Sequence, residues 1–281
     1  MPEKFLAAAV QMCSGEDVRA NLDEATRLIE QAAAAGAQIV AMPEMFACFG
    51  RWEVMLASAE PVPGPTSDAL STLAARLRIT LVGGSICERA STPGKAHNTS
   101  LLFGPDGQLL ARYRKIHLFD VDLPGQVTVQ ESRWLAPGIE AVATWTPLTT
   151  IGQAICYDLR FPAVFERMAE AGCDLLCIPS AFTATTGRDH WELLLRSRAV
   201  ESQAYVVAPN QTGQHAGQFT AYGHSAIVDP WGNVLAMAQE EVGYIAGEID
   251  LSRLRDVRAR LPALRHRREI DPARPVRRDD V

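Results

Sequence analysis

Runs of apolar residues rich in β-branched side chains recur along the chain and are closed by Pro or Gly. Between them, apolar positions fall at helical spacing. The runs predict strands over 6–12, 38–42, 80–87, 99–103, 109–115, 151–156, 175–178, 205–208, 225–228, 234–237 and 244–249. The helical spacing predicts helices over 17–35 with Gly36 as the stop, 66–78, 162–171 with Gly172 as the stop, 190–203, and a basic one near 251–260. Pro162 suits a first helical position, whose N–H has no intrahelical partner to lose. The tight turns Gly104-Pro105-Asp106-Gly107 and Asp229-Pro230-Trp231-Gly232 predict hairpins.

The pattern occurs twice. Residues 35–46 align without a gap on residues 171–182, the Pro105 hairpin on the Pro230 hairpin, and residues 9–13 on residues 152–156. Three matches in the same order predict two halves with one strand-helix-strand-helix-hairpin plan. A sheet covered by helices on one face must bury its bare face against something, and the other half supplies it. The expected class is therefore α/β, a four-layer α-β-β-α sandwich with an internal pseudo-two-fold repeat. The length of 281 residues would allow two domains. The repeat turns that count into two halves of one domain over 1–281, neither folding alone.

Composition narrows the partners. With 47% apolar and 21% charged residues the chain reads as an ordinary folded protein, and a net charge of −6 speaks against nucleic acid. The arginine-rich arm over 251–281 then reads as packing on its own or a partner subunit. The start of the sequence has no basic leader, and no stretch reaches the length of a membrane span, so a cytoplasmic protein without a membrane partner is expected. Its six cysteines would be reduced thiols, and none forms a CxxC pair.

Positions where the halves differ in chemistry are candidates for function. Glu44 stands where the other half has Ser180, after a strand and a proline, and reads either as a carboxylate tied to backbone N–H groups or as a desolvated general base. Cys156 lies on a strand-to-helix turn that presents it at the sheet edge, with the Tyr157 N–H placed to face whatever the sulfur attacks; a packed core thiol is the other reading. Strand alternation puts Tyr113 and Lys115 on one side and Arg112 and Arg114 on the other, which fits a solvated basic cluster or an inward lysine. Glu131 is a carboxylate in a Pro/Gly-rich aromatic loop and alone signifies little.

Together Pro43-Glu44-Met45-Phe46, the segment 113–120 around Lys115, and the segment 155–162 around Cys156 resemble the nitrilase superfamily of carbon-nitrogen hydrolases over nearly the whole chain. The resemblance implies a Glu44, Lys115, Cys156 triad, with Glu131 as a second active-site glutamate and the Tyr157 N–H as an oxyanion donor. It implies a thioester mechanism needing no metal or organic cofactor, and a homodimer or larger homo-oligomer. Thiolate formation would be helped by the adjacent Lys115 cation. The stretches 182–201 and 210–232 resemble the branch of deaminated-glutathione amidases and omega-amidases, implying hydrolysis of the primary amide of a small 2-oxo-acid or carboxylate substrate to acid and ammonia. Deaminated glutathione is the first expectation and 2-oxoglutaramate or 2-oxosuccinamate the second. True nitrile hydrolysis, N-carbamoyl amino acid hydrolysis, a Cys-His hydrolase and an inert scaffold are the rivals. Gln218-Phe219-Thr220-Ala221 stands where the branch often has a basic residue, so Arg160, Arg188 and His190 become the candidates for holding a distal carboxylate. Phe46, Phe182 and Thr183 are candidate pocket residues.

Overall fold

The computed structural model describes residues 2–123 and 127–270. In chain order the first half supplies β1 (Lys4–Gln11), α1 (Val18–Ala34), β2 (Ala37–Ala41), α2 (Trp52–Ala57), α3 (Pro65–Leu77), β3 (Thr80–Arg89), β4 (Ala96–Phe103) and β5 (Leu109–Arg114). The antiparallel pair β6 (Asp120–Leu123) and β7 (Val127–Gln130) leads into a 3-10 turn over Glu131–Arg133. The second half supplies β8 (Val142–Trp145), β9 (Thr150–Gln153), α4 (Pro162–Glu170), β10 (Leu175–Cys177), α5 (Ala184–Ser202), β11 (Tyr205–Ala208), β12 (Thr212–Gln214), β13 (Thr220–Tyr222), β14 (Ala226–Val228) and β15 (Val234–Met237). The chain then adds β16 (Gly243–Asp250) and α6 (Leu251–Arg260).

Two six-stranded sheets carry the repeat, in the orders β16-β1-β2-β3-β4-β5 and β8-β9-β10-β11-β14-β15. Each has an antiparallel edge strand, three parallel strands, then an antiparallel meander closed by one of the two predicted hairpins. Strand alternation divides the faces. Phe5, Ala7 and Ala9 of β1 pack with Ile39 and Val82 against Ile151, Leu175, Cys177, Tyr205 and Val207 of the other sheet. Ala8 and Val10 instead meet Leu28 and Ile29 of α1 and lie in one core with Leu70 and Leu73 of α3. In the second half Leu176, Val206 and Val228 share a core with Phe165 of α4 and Trp191 and Leu195 of α5. The result is the four-layer α-β-β-α sandwich, with each fully buried large apolar side chain contributing about 1.5–3 kcal/mol.

Helix ends follow local chemistry. Asp17 caps α1 by accepting from the N–H groups of Arg19 and Ala20. The helix α5 begins at Ala184, six residues before the expected start, because Thr183 caps it and accepts from the Thr186 N–H at 3.2 Å. Gly187 obscured that first turn in the sequence, yet a Cβ there would come within 2.4 Å of the Tyr222 ring. The expected strand over 151–156 stops at Gln153, and Cys156 opens a 3-10 turn over Cys156–Arg160. The elements α2, β6, β7, β8, β12 and β13 were not expected; each is six residues or shorter.

The basic helix α6 packs on its own chain. Leu251, Leu254 and Val257 are buried, while Arg253 pairs with Asp229 at 2.6 Å and Arg258 with Asp174 at 2.7 Å. Beyond α6 the predicted arm continues through a 3-10 turn over Ala263–His266, and its last part, 271–281, lies outside the described residues. Among the described residues no helix is long and apolar enough to cross a membrane.

Candidate active site

The exits of β2, β5 and β9 converge at one end of the sandwich. After β2 the chain turns through Pro43 and Glu44, with the Glu44 N–H reaching Ser180 O at 3.4 Å. This crossing joins equivalent positions of the two halves. The strand β3 runs so close beneath that a Cβ on Gly84 would come within 2.2 Å of Pro43 O, and Gly84 itself has φ of +56°. After β9, Cys156 sits at φ 45°, a left-handed conformation costing about 1–2 kcal/mol for a residue with a side chain, and its N–H donates to Pro179 O at 3.0 Å.

Lys115, the first residue after β5, lies between two carboxylates. Its Nζ donates to Glu44 Oε1 at 2.9 Å and to Glu131 at 3.0 Å. Glu44 Oε1 also accepts from Asn98 Nδ2 at 2.8 Å, and Glu44 Oε2 from the Ala181 N–H at 2.8 Å. Glu131 Oε2 accepts from the Phe119 N–H at 2.8 Å. Glu44, Lys115, Glu131 and Cys156 are all buried and line one cavity with Met45, Phe49, Trp52, Phe119 and Phe219.

Burial opposes the Lys115 ammonium, but Glu131 and Glu44 outweigh it and hold the group well above its ordinary value, so it stays charged at neutral pH. Burial pushes the Glu131 carboxyl up despite the pull of Lys115, and the charge of Glu44 adds to the rise. Cys156 moves contrary to expectation. Burial and then the negative charge of Glu44 raise its thiol well above the ordinary value, outweighing Lys115 and the Ala181 N–H. The resting sulfur is therefore a thiol, and any nucleophilic role for it would need a base to remove its proton.

A second cavity shares Phe119, Cys156 and Ala181 with the first and is lined by Tyr157, Arg160, Phe182, Thr183 and Thr186. Arg160 lies over the Phe182 ring at 5.1 Å and the Tyr157 ring at 5.9 Å, with its Nη1 3.2 Å from His190 Nδ1. Three expected binding residues are elsewhere. Phe46 is fully buried in the core between the first sheet and its helices, because the turn after Met45 directs it away from the cavity. Arg188 and His190 are exposed on the first turns of α5, and neither lines either of these two cavities. His190 reaches the site only through Arg160. Asn98, Phe119, Thr186 and the Ala181 N–H were missed, since a lone asparagine or a backbone donor has no distinguishing mark in a sequence. Among the described residues no cluster of three or more His, Cys, Asp or Glu is arranged to hold a metal ion.

This constellation has matches among known proteins. The family described as carbon-nitrogen hydrolase matches residues 6–259. Omega-amidase NIT2 of Homo sapiens is 43% identical over 264 residues, covering 94% of this chain and 95% of that protein. Deaminated glutathione amidase of Synechocystis sp. is also 43% identical, over 266 residues, covering 94% of this chain and 98% of that protein. Among solved structures, Saccharomyces cerevisiae Nit3, described as a member of branch 10 of the nitrilase superfamily, superposes with a TM-score of 0.85 at 34% identity, covering 93% of this chain and 96% of that one. The chain belongs to the carbon-nitrogen hydrolase family. Within it, the protein is an amidase of the nitrilase superfamily, a hydrolase acting on the carbon–nitrogen bond of linear amides.

Proposed function

We propose that Cys156 is the nucleophile of this amidase, Glu44 its general base and acid, and Lys115 with the Tyr157 N–H its oxyanion donors. The observation that supports this most directly is the Lys115 ammonium held between Glu44 and Glu131 in the cavity that contains Cys156. Glu44 takes the Sγ proton as sulfur forms a bond to the amide carbon. The carbonyl oxygen becomes an oxyanion beside Lys115 and the Tyr157 N–H, each donor contributing about 3 kcal/mol. Glu44 then passes the proton to the amide nitrogen, the C–N bond breaks, and a thioester remains on Cys156. Water gives a proton to Glu44 and its hydroxide displaces the sulfur, which recovers the proton as the acid departs. Glu131 keeps Lys115 in place throughout.

The substrate we assign is an amide of a 2-oxo dicarboxylic acid, deaminated glutathione first and 2-oxoglutaramate or 2-oxosuccinamate second. Arg160, fixed between two rings and flanked by Thr183 and Thr186, supplies a cation and hydroxyls for the distal carboxylate. The leaving group distinguishes the two substrates. In deaminated glutathione the cleaved nitrogen carries the cysteinylglycine portion, so an amine leaves, and the expectation of ammonia applies to the omega-amides alone. The same reading has one folding unit over 1–281, working in the cytoplasm as a homodimer or larger homo-oligomer without nucleic-acid or membrane partners.

The test is a panel of deaminated glutathione, 2-oxoglutaramate, a simple nitrile and an N-carbamoyl amino acid, with amine or ammonia release measured for each. Turnover of the first two, fastest on deaminated glutathione, is expected. Faster turnover of 2-oxoglutaramate would reverse the order, and turnover of only the nitrile or the carbamoyl compound would overturn the substrate class.

A further inference from the structure

A buried carboxylate outside the catalytic group makes four bonds that straddle it. Asp158, fully buried, accepts from Tyr113 Oη at 2.6 Å and the Ile155 N–H at 3.0 Å through Oδ2. Its Oδ1 receives the His117 N–H at 2.9 Å and lies 2.8 Å from His117 Nδ1. Tyr113 and His117 lie two residues before and two after Lys115; Ile155 immediately precedes Cys156. One carboxylate thus fastens the segment carrying the ammonium to the turn carrying the sulfur.

Both pieces need an external tie. Lys115 follows the last residue of β5, the edge strand of the first sheet, and Cys156 follows the end of β9 in the second sheet with its backbone in the left-handed region. No ladder joins β5 to β9, because the two strands belong to different sheets. The partners of Asp158 are themselves held. Tyr113 is fully buried, and the His117 ring stacks on Phe161 with centroids 3.6 Å apart and planes 3° apart. Four donors on one dry carboxylate form a cross-link with little freedom to slide.

We propose that Asp158 is a positioning residue that sets the distance between the Lys115 ammonium and Cys156. It touches no reacting atom; it acts by keeping the oxyanion donor and the nucleophile in register. The inference rests on the proposed roles of Cys156 and Lys115. An active-site misplacement on the scale of 1 Å costs about 10²-fold in rate.

The experiment compares wild type, Asp158→Asn, Tyr113→Phe and Cys156→Ala in the full chain. It measures kcat and KM on 2-oxoglutaramate and the pH midpoint for iodoacetamide alkylation of the peptide containing Cys156. Asp158→Asn should lower kcat about 10²-fold with KM changed less than threefold. Its alkylation midpoint should rise, because the cation opposing the effect of burial has moved away from the sulfur. Tyr113→Phe removes one bond of the four and should shift both quantities in the same direction by less. If Asp158→Asn does not fold, Tyr113→Phe decides the matter. A folded variant of either kind that destabilises the protein but keeps kcat and the alkylation midpoint of wild type would overturn the proposal and leave Asp158 a purely structural residue. Wild-type activity in Cys156→Ala would instead overturn the reading of the site on which the proposal rests.

Discussion

The two halves share their strand order, their hairpins and the turn after the second parallel strand, yet they place different chemistry at equivalent points. Where β2 ends the turn carries Glu44; where β10 ends it carries Ser180 and Ala181. The second turn still contributes, since its Ala181 N–H donates to Glu44 Oε2 at 2.8 Å. The cysteines separate further. Cys13 is exposed beyond β1, with burial of its partly covered thiol raising the pKa. Cys156 is buried at φ 45° with Glu44 and Lys115 in its cavity. A duplicated backbone provides two similar strand exits, and at one of them three carboxyl and amine side chains are gathered from the other half and the connection between halves.

The largest expected effect comes from breaking that asymmetry at the sulfur. Cys156→Ala should reduce amide hydrolysis by about 10⁴-fold or more while the circular dichroism spectrum keeps its wild-type form, and Cys13→Ala should change neither. Retained activity in Cys156→Ala would make the two cysteines equivalent and remove the contrast. Removing the proposed base is the next largest. Glu44→Gln should lower kcat by about 10²–10⁴-fold, since the resting thiol must lose its proton and Glu44 is the proposed acceptor. A Cys-His hydrolase would keep its rate in this variant. Separating the halves between β7 and β8 should yield fragments that neither fold nor hydrolyse amides, because the Ile39 and Val82 face of one sheet would lose the Leu175 and Val207 face of the other. A cooperative thermal transition in either fragment alone would contradict this.

The smallest effect lies away from the site. Glu88 is buried on β3 with Arg112, Arg114 and Thr99 around it; burial pushes its carboxyl up, but these partners prevail and lower it from 4.5 to about 2. A carboxyl held low in the fold stabilises the protein fully above pH 4.5 and loses that contribution as pH falls toward 2. Both arginines are partly exposed, so about 1–2 kcal/mol is expected after screening. Glu88→Gln should therefore lower the thermal midpoint at pH 7 and flatten its dependence between pH 4.5 and pH 3. An unchanged acid dependence would show that the pair contributes nothing.

Much of the fold is legible because both periodicities are strong where burial is complete. Strands such as 80–87 and 205–208 face helices on one side and a sheet on the other, so their apolar runs are continuous. The repeat was visible because identical turns need similar residues, as the 104–107 and 229–232 hairpins do. The start of α5 was hidden because Gly187 is there for the Tyr222 ring and not for helix propensity. In the site, strand alternation separates Lys115 from Arg112 and Arg114 but leaves a solvated basic cluster open, and it is the resemblance of segment 113–120 that singles the lysine out. The direction of the Cys156 shift was not, because it depends on burial and on how Glu44 and Lys115 balance in three dimensions. Arg188 looked equal to Arg160 as a cation, but the helical turn carrying it points to solvent.

The most direct measurement is mass spectrometry of enzyme quenched during turnover of 2-oxoglutaramate and digested into peptides. A 2-oxoglutaryl thioester on the peptide containing Cys156, present in wild type and absent from the Cys13 peptide, is the predicted result. Steady turnover with no acyl group on Cys156, or with an acyl group on another residue, would contradict a cysteine nucleophile at that turn.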